Sequence, residues 1–229
     1  MPDHKPHSSR GAWRARASGS SARSGTQRLA LADGARCELL DGWIAKDRAE
    51  RLFHSLLAEV PWARREIVLY GRKVMQPRLV AWVGDADAVY TYSRTRHVPL
   101  PWSATLAALR DDLERDLGER FNSVLCNLYR DGQDSMGMHA DREPELGPAP
   151  VIASVSLGAT RRFVLRHRDH GKPERCAALS SRQLGVDLEL ASGSLLVMSG
   201  ATQQLYKHGV PKQPRVRAPR INLTFRRVQ

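Results

Sequence analysis

His139-Ala140-Asp141 is the pattern in this chain with the plainest chemical use. On an extended backbone, residues i and i+2 point the same way, so an imidazole and a carboxylate share one side, as metal ligands do. A second histidine would complete a 2-His-1-carboxylate set, which leaves positions open on a ferrous ion. The signal is weak alone: eight His and 14 Asp in 229 residues give about half a His-x-Asp pair by chance, and His167-Arg168-Asp169 is a second one. Local charge separates the two. His167 sits among Arg161, Arg162, Arg166, Arg168 and Lys172, which disfavour a cation, whereas His139 has Asp134, Asp141, Glu143 and Glu145 nearby. The first pair is therefore the expected clip, with His167 half buried beside Phe163 and Leu165. The third ligand must be another histidine. His208, in Tyr206-Lys207-His208-Gly209-Val210-Pro211, lies just before an arginine-flanked segment; the competing reading is a solvated loop histidine.

That segment, Arg220-Ile221-Asn222-Leu223-Thr224-Phe225-Arg226, alternates strictly, with Ile221, Leu223 and Phe225 on one face of a strand. Its polar face either meets solvent or lines an anion pocket. Arg suits the second use because its planar fork binds both oxygens of a carboxylate. Six residues of strand separate Arg220 from Arg226 by roughly 20 Å, at about 3.3 Å per residue. The two cannot grip one carboxylate together, but long side chains could meet a short dicarboxylate from opposite ends. Val124-Leu125-Cys126-Asn127-Leu128-Tyr129 alternates too and places Leu125, Asn127 and Tyr129 on one face. Asn127 and Tyr129 would bring hydrogen bonds there; a strand-end Asn and a core Tyr are the bland alternative.

The elements that must position these residues can be outlined. Asp47 and Glu50 have capping-box spacing before an apolar helical face of Leu52, Phe53, Leu56, Leu57 and Val60. Pro101 and Ser103 open a second helix with Leu106, Leu109, Leu113 and Leu117 on one stripe, and Gly118 stops it. Short strands are expected at 66–70, 79–83, 123–129, 151–157, 162–167, 186–190, 194–198 and 221–226. Helices followed by a run of strands predict an α+β protein whose second half is a β-sandwich or jelly roll. No internal repeat is visible.

Composition bounds the rest. With 36 Lys and Arg against 24 Asp and Glu, the formal charge of +12 favours a polyanionic partner. Residues 1–28 hold six of the basic residues, six serines and one acid, and are expected to form a disordered arm; an organelle transit peptide is the alternative. Without them the chain still carries 30 basic against 23 acidic residues. No apolar run approaches the roughly 20 residues of a membrane span, which argues against an integral membrane protein. Cys37, Cys126 and Cys176 are too scattered for a disulfide framework or a cysteine zinc site. A reduced, intracellular setting follows as the expectation.

Taken in order, Asn127-x-Tyr129, His139-x-Asp141, His208 and Arg220-x-Asn222-x-Thr224-Phe225-Arg226 resemble the AlkB family of Fe(II)- and 2-oxoglutarate-dependent dioxygenases. The similarity runs from about residue 66 to the C-terminus. It takes in Gly137-Met138-His139-Ala140-Asp141, Ser154-Val155-Ser156-Leu157-Gly158, Ser192-Gly193-Ser194-Leu195-Leu196 and His208-Gly209-Val210-Pro211. The resemblance implies a double-stranded β-helix (jelly roll) core at about 121–229, supporting N-terminal helices and a nucleotide-recognition hairpin region at about 62–95, all within one domain at 29–229. It implies that His139, Asp141 and His208 bind Fe(II). Arg220 would pair with the distal carboxylate of 2-oxoglutarate, Arg226 would serve near the metal end and touch Asp141, and Asn127, Tyr129 and Asn222 would complete the pocket. Such enzymes couple 2-oxoglutarate decarboxylation by O2 to hydroxylation of a methyl group on a base nitrogen, releasing formaldehyde, succinate and CO2.

On the substrate side the match is looser. Leu69-Tyr70-Gly71 sits where the family's base-flipping hairpin would be, followed by Pro77-Arg78. Tyr90 and Tyr92 match positions that stack the extruded base, or else pack a core edge. Glu143 resembles the family's acidic base-reading residue and would favour the cationic bases 1-methyladenine and 3-methylcytosine. Arg64, Arg65, Arg72, Lys73 and Arg78, with Lys207, Lys212, Arg215 and Arg217, are candidate phosphate contacts. The expected partner is DNA carrying alkylated bases, met by a monomer in the cytoplasm at the nucleoid. RNA or another hydroxylation substrate is the nearest alternative. A noncatalytic nucleic-acid-binding jelly roll is the next, and a zinc hydrolase leaves the arginine strand unexplained.

Overall fold

The computed structural model describes residues 25–69, 71–92 and 95–229. Two antiparallel sheets face each other. The larger is built, edge to edge, from β1 (Thr26–Arg28), β2 (Ala35–Leu40), β13 (Leu195–Gly200), β10 (Ile152–Gly158), β15 (Arg220–Arg226), β8 (Ser123–Tyr129) and β5 (Leu79–Gly84). The smaller runs β12 (Gly185–Leu190), β11 (Arg161–His167), β14 (Tyr206–Val210) and β9 (Met136–His139). Two hairpins stand apart from them, β3 (Glu66–Leu69) with β4 (Arg72–Met75), and β6 (Tyr90–Tyr92) with β7 (Thr95–His97). The helices are α1 (Lys46–Glu59), α2 (Ala104–Leu117) and the single turns α3 (Pro173–Cys176), α4 (Ser181–Leu184) and α5 (Thr202–Leu205).

Two apolar clusters hold the layers together. One lies between the helices and the larger sheet, where Leu56, Leu106, Leu109 and Leu113 meet Ile221, Leu223 and Phe225. The other fills the space between the sheets with Tyr129, Ile152, Phe163, Leu165 and Tyr206 among its members. β15 touches both layers. Every residue of it is buried, so its polar face, Arg220, Asn222, Thr224 and Arg226, looks into the sandwich and not into water. A strand with a solvated face is thereby excluded.

The second helix has the ends its sequence predicts. The Ser103 side chain accepts from the Leu106 N–H at 3.3 Å, and Gly118 closes the helix in the left-handed region at φ 67°. The first does not: Ala45 is its N-cap, without a side-chain bond, and Asp47 lies inside the first turn. A carboxylate there still favours the helix N-terminus electrostatically, but no capping box forms. Thr26–Arg28, the end of the segment expected to be disordered, pairs with β2 as an edge strand. The expected strand set lacked β1, β2, β4, β6, β7, β9 and β14. The hairpin expected near residue 70 is present, with Gly71 at φ 77° between its strands. Tyr70 and the side chains of Tyr90 and Tyr92 lie outside the described residues. All three cysteines are buried and unbridged, and burial pushes the Cys37 thiol up to about 12.

Candidate metal and co-substrate site

His139 and His208 stand directly opposite each other on neighbouring strands β9 and β14, so their side chains share a face. Their rings are 4.4 Å apart, centroid to centroid. Asp141 follows β9, and its Oδ1 lies 3.5 Å from Nε2 of His139. Together the three offer two nitrogens and one oxygen, all within 4.8 Å of one another. That donor set is the facial triad suited to ferrous iron.

Protonation favours it as well. Nδ1 of His139 is 2.9 Å from the carbonyl oxygen of Gly137. A carbonyl only accepts, so Nδ1 keeps the proton and Nε2 keeps a lone pair for a metal. Burial drives the His208 imidazole down to about 3, and the His139 and Arg226 charges push the same way against Asp141. It is therefore neutral at pH 7, while its Nδ1 is buried without a hydrogen-bond partner. Burial alone would raise the Asp141 carboxyl, but Arg226, His208 and His139 override it and hold it at about 2. Its Oδ2 accepts from Nη2 of Arg226 at 2.7 Å, both groups being buried. A neutral His208 imidazole and a fixed carboxylate, beside the His139 ring, fit a divalent cation.

The same cavity continues to Arg220. This arginine is 1% exposed, donates from Nη2 to Ser156 Oγ at 2.9 Å and lies over the Tyr129 ring at 5.2 Å. Its Nε and Nη1 are buried without hydrogen-bond partners. Burial lowers it to about 10, still charged at pH 7. A desolvated guanidinium with idle donors is strongly unfavourable unless an anion completes it. Between Arg220 and the triad, Asn222 donates to Ser154 Oγ at 2.7 Å and its Oδ1 accepts from Thr224 Oγ1 at 3.1 Å. Asn127 and Asn222 both line the cavity, as does Tyr129. A group that ligates a metal at one end and carries a carboxylate at the other matches this layout.

Residues 36–226 match the family model of the 2OG-Fe(II) oxygenase superfamily. Over 191 residues the chain is 42% identical to bovine (Bos taurus) alpha-ketoglutarate-dependent dioxygenase alkB homolog 3, covering 83% of this chain and 65% of that protein. It thus spans just under two thirds of the length of that relative. To the mouse (Mus musculus) DNA oxidative demethylase ALKBH2 it is 42% identical over 188 residues, 80% of this chain and 76% of that one. This chain belongs to the AlkB family. The solved structure of OsALKBH1 shares the AlkB fold with it at a TM-score of 0.52 and 18% identity, over 88% of this chain and 100% of that one. Fe(II), 2-oxoglutarate and O2 are the reagents of the superfamily, and the AlkB chain described here has the donors to hold the first two.

Other residues fall differently from expectation within this AlkB site. Arg78, expected at the nucleic-acid surface, is buried and donates from Nε to Asn127 Oδ1 at 2.7 Å, so it braces the pocket wall. Asp134, expected to lend negative charge to the metal, is bound by Arg130 through three hydrogen bonds. His167 stays out of the cluster: it is buried edge-on to Tyr206, and its Nδ1 accepts from the Asp169 N–H at 3.2 Å. Glu143 is half buried, with Oε2 enclosed and unpartnered. Arg64, Arg65, Arg72, Lys73, Lys207, Lys212, Arg215 and Arg217 are all exposed.

Sequence reasoning missed Gln203. It is buried on α5, and its Oε1 accepts from the Asp141 N–H at 2.9 Å, tying the carboxylate's backbone to the turn that leads into His208. Nothing local marks it, because Gln203 lies 62 residues from Asp141 in the chain. Gln203→Leu is expected to weaken Mn(II) binding about 10- to 100-fold, as for other supports of metal ligands, with little change in the melting temperature of the metal-free protein. Calorimetric titration checks this; an unchanged metal affinity would remove Gln203 from the site.

Proposed function

We propose that this protein is an oxidative demethylase that repairs N-alkylated bases, 1-methyladenine and 3-methylcytosine, in DNA. The observation that carries the reading is one buried cavity lined at one end by His139, Asp141 and His208 and at the other by an unsatisfied Arg220. Bound Fe(II), with O2, supplies the oxidising power that turns 2-oxoglutarate into succinate and CO2 while a methyl C–H on the base becomes C–OH. The resulting hemiaminal is unstable and loses formaldehyde, leaving the repaired base.

The chain's own contribution is placement. His139, Asp141 and His208 hold the metal; Arg226 fixes the Asp141 carboxylate in one orientation and keeps it ionised. Arg220 receives the distal carboxylate, so the keto acid lies in a single direction along the cavity. Asn127, Tyr129 and Asn222 form its wall. The enclosed carboxylate of Glu143, two residues past Asp141, faces a cationic methylated base more favourably than a neutral one. By the sequence resemblance, Tyr70 and Gly71 are assigned to base flipping, and Tyr90 and Tyr92 to stacking of the extruded base. The exposed basic residues bind phosphates without reading sequence, which suits repair at any position. The bovine and mouse relatives, one named for an alpha-ketoglutarate-dependent dioxygenase and one for a DNA oxidative demethylase, support this reading. No helix is long and apolar enough to cross a membrane among the described residues. We place the enzyme as a monomer in the cytoplasm, at the nucleoid, as one domain that takes in the edge strand Thr26–Arg28 as well as residues 29–229.

The test is a side-by-side assay on DNA and RNA oligonucleotides bearing 1-methyladenine. Formaldehyde should appear with DNA, depend on Fe(II) and 2-oxoglutarate, and vanish in His139→Ala. Turnover of RNA alone would move the substrate to RNA. Binding without turnover in both wild type and variant would leave a noncatalytic binding protein.

A further inference from the structure

Arg161, the first residue of β11, is as deeply buried as Arg220, at 1% exposed. Four donor contacts fix its guanidinium. Nη1 donates to the Asp131 carbonyl at 2.9 Å, Nη2 to those of Asp134 and Pro211 at 2.8 and 2.9 Å, and Nε to Gln213 Oε1 at 3.2 Å. These partners are all neutral. Two acids nearby, Asp134 and Asp131, favour its charge against burial, but neither carboxylate pairs with it, and that of Asp134 is engaged by Arg130.

The loops that hold Arg161 are themselves laced together. Gly132 donates to the Val216 carbonyl and accepts from the Gln213 N–H, both at 2.8 Å. A side chain at Gly132 would meet the Gln213 carbonyl oxygen at 1.8 Å, so only glycine permits the approach. The guanidinium thus has one available position, and from it Cζ lies 5.4 Å from the centre of the Tyr129 ring. Arg220 lies over that ring too, at 5.2 Å. Two buried cations therefore share one aromatic ring, and among the described residues neither forms an ion pair with a carboxylate. The charge of Arg161 adds to the lowering of Arg220, which burial dominates.

Carbonyl oxygens could be tied together without a net charge. A buried charge that no carboxylate pairs with directly is only partly offset by the acids around it, and leaves positive potential for a further anion. We infer that Arg161 is a positioning residue for the co-substrate, which holds the Tyr129 ring beside Arg220 and supplies a second positive charge that favours a keto diacid over a keto monoacid. This rests on the reading of Arg220 as the anchor of 2-oxoglutarate. Arg161 itself is absent from the cavity wall, which Tyr129 and Arg220 line, so it acts through them.

The experiment compares dissociation constants of 2-oxoglutarate and 2-oxobutyrate, which lacks the distal carboxylate, on Mn(II)-loaded protein by calorimetry. Arg161→Gln should weaken 2-oxoglutarate about tenfold, the size of a charge felt through protein at an effective dielectric constant of about 20. The monoacid should shift less than about twofold, because it presents no charge at that end. Arg161→Lys, which keeps the charge and loses most of the carbonyl contacts, should stay within about threefold of wild type for the diacid. Gln213→Leu removes one of the four contacts on the Arg161 guanidinium and the acceptor of the Arg162 N–H but keeps the Arg161 charge, so it should lower the melting temperature while diacid affinity stays within about threefold of wild type. Equal weakening of both acids in Arg161→Gln overturns the inference, as does a tenfold loss in Arg161→Lys or in Gln213→Leu. If Arg161→Gln does not fold, the last two variants decide. If wild type binds no 2-oxoglutarate at all, the underlying reading of Arg220 fails instead.

Discussion

Arg220→Met is expected to make the ligand-free protein more stable and the enzyme nearly inactive. In wild type the guanidinium is buried, with Nε and Nη1 idle. Methionine has a similar reach without the charge, and exchanging an uncompensated buried ion for an apolar side chain stabilises by about 1–4 kcal/mol in comparable cases. The same change removes the partner of the distal carboxylate. Loss of a buried charged hydrogen-bond partner costs about 2–5 kcal/mol, so the Michaelis constant for 2-oxoglutarate should rise about 30-fold or more. Two thermal scans separate the effects. Without ligand the variant should melt above wild type; with saturating 2-oxoglutarate and Mn(II) the order should reverse, because ligand stabilises only the protein that binds it. A lower melting temperature for the ligand-free variant would mean that Arg220 is a structural arginine.

The second large effect concerns the Asp141–Arg226 pair. Asp141→Leu should abolish turnover by removing a metal ligand, and should also destabilise the fold. Arg226 would lose the Asp141 carboxylate it pairs with while staying buried, and breaking such a buried pair costs about 3–5 kcal/mol. Removing the second partner tests this account. Asp141→Leu with Arg226→Met should recover most of the lost stability in urea melts while remaining inactive, since the metal set is still incomplete. The coupling between the two sites should then be large and favourable, as expected for groups 2.7 Å apart. A double variant no more stable than Asp141→Leu would show that the pair is not the source of the loss.

How much of this was readable beforehand depends on the range of the interaction. Strict alternation in Arg220–Arg226 identified a strand, and the polar residues on one face raised the anion pocket as one of two readings. Choosing between them required knowing that β15 lies in the middle of its sheet, between β10 and β8, with the smaller sheet over it. No local signal carries that. Charge near His139 selects the His-x-Asp pair that clusters with His208, though Asp134, counted toward it, serves Arg130. His208 was placed before β15 but not on a strand, because Tyr206-Lys207-His208-Gly209-Val210 is short and holds a glycine; its strand forms by pairing with β9 and β11. β2 was overlooked although Arg36 and Glu38 alternate with Cys37 and Leu39. Arg78 and Gln203 were beyond reach. Their hydrogen bonds close over 49 and 62 residues, and a surface arginine and a buried one read alike in a sequence.

The central position of β15 has a consequence for how the molecule is made. Strands β8 and β10 both precede it in the chain, and β8 pairs with it along its full length, β10 from Arg220 to Phe225. Until β15 leaves the ribosome, each presents an open edge of unpaired amides and carbonyls, which is a template for wrong partners. A message cut short before codon 220 would therefore yield a sticky, split sheet lacking both arginines of the pocket. Silent loss of catalysis is not the expected phenotype of such a truncation; clearance by proteases and chaperones is.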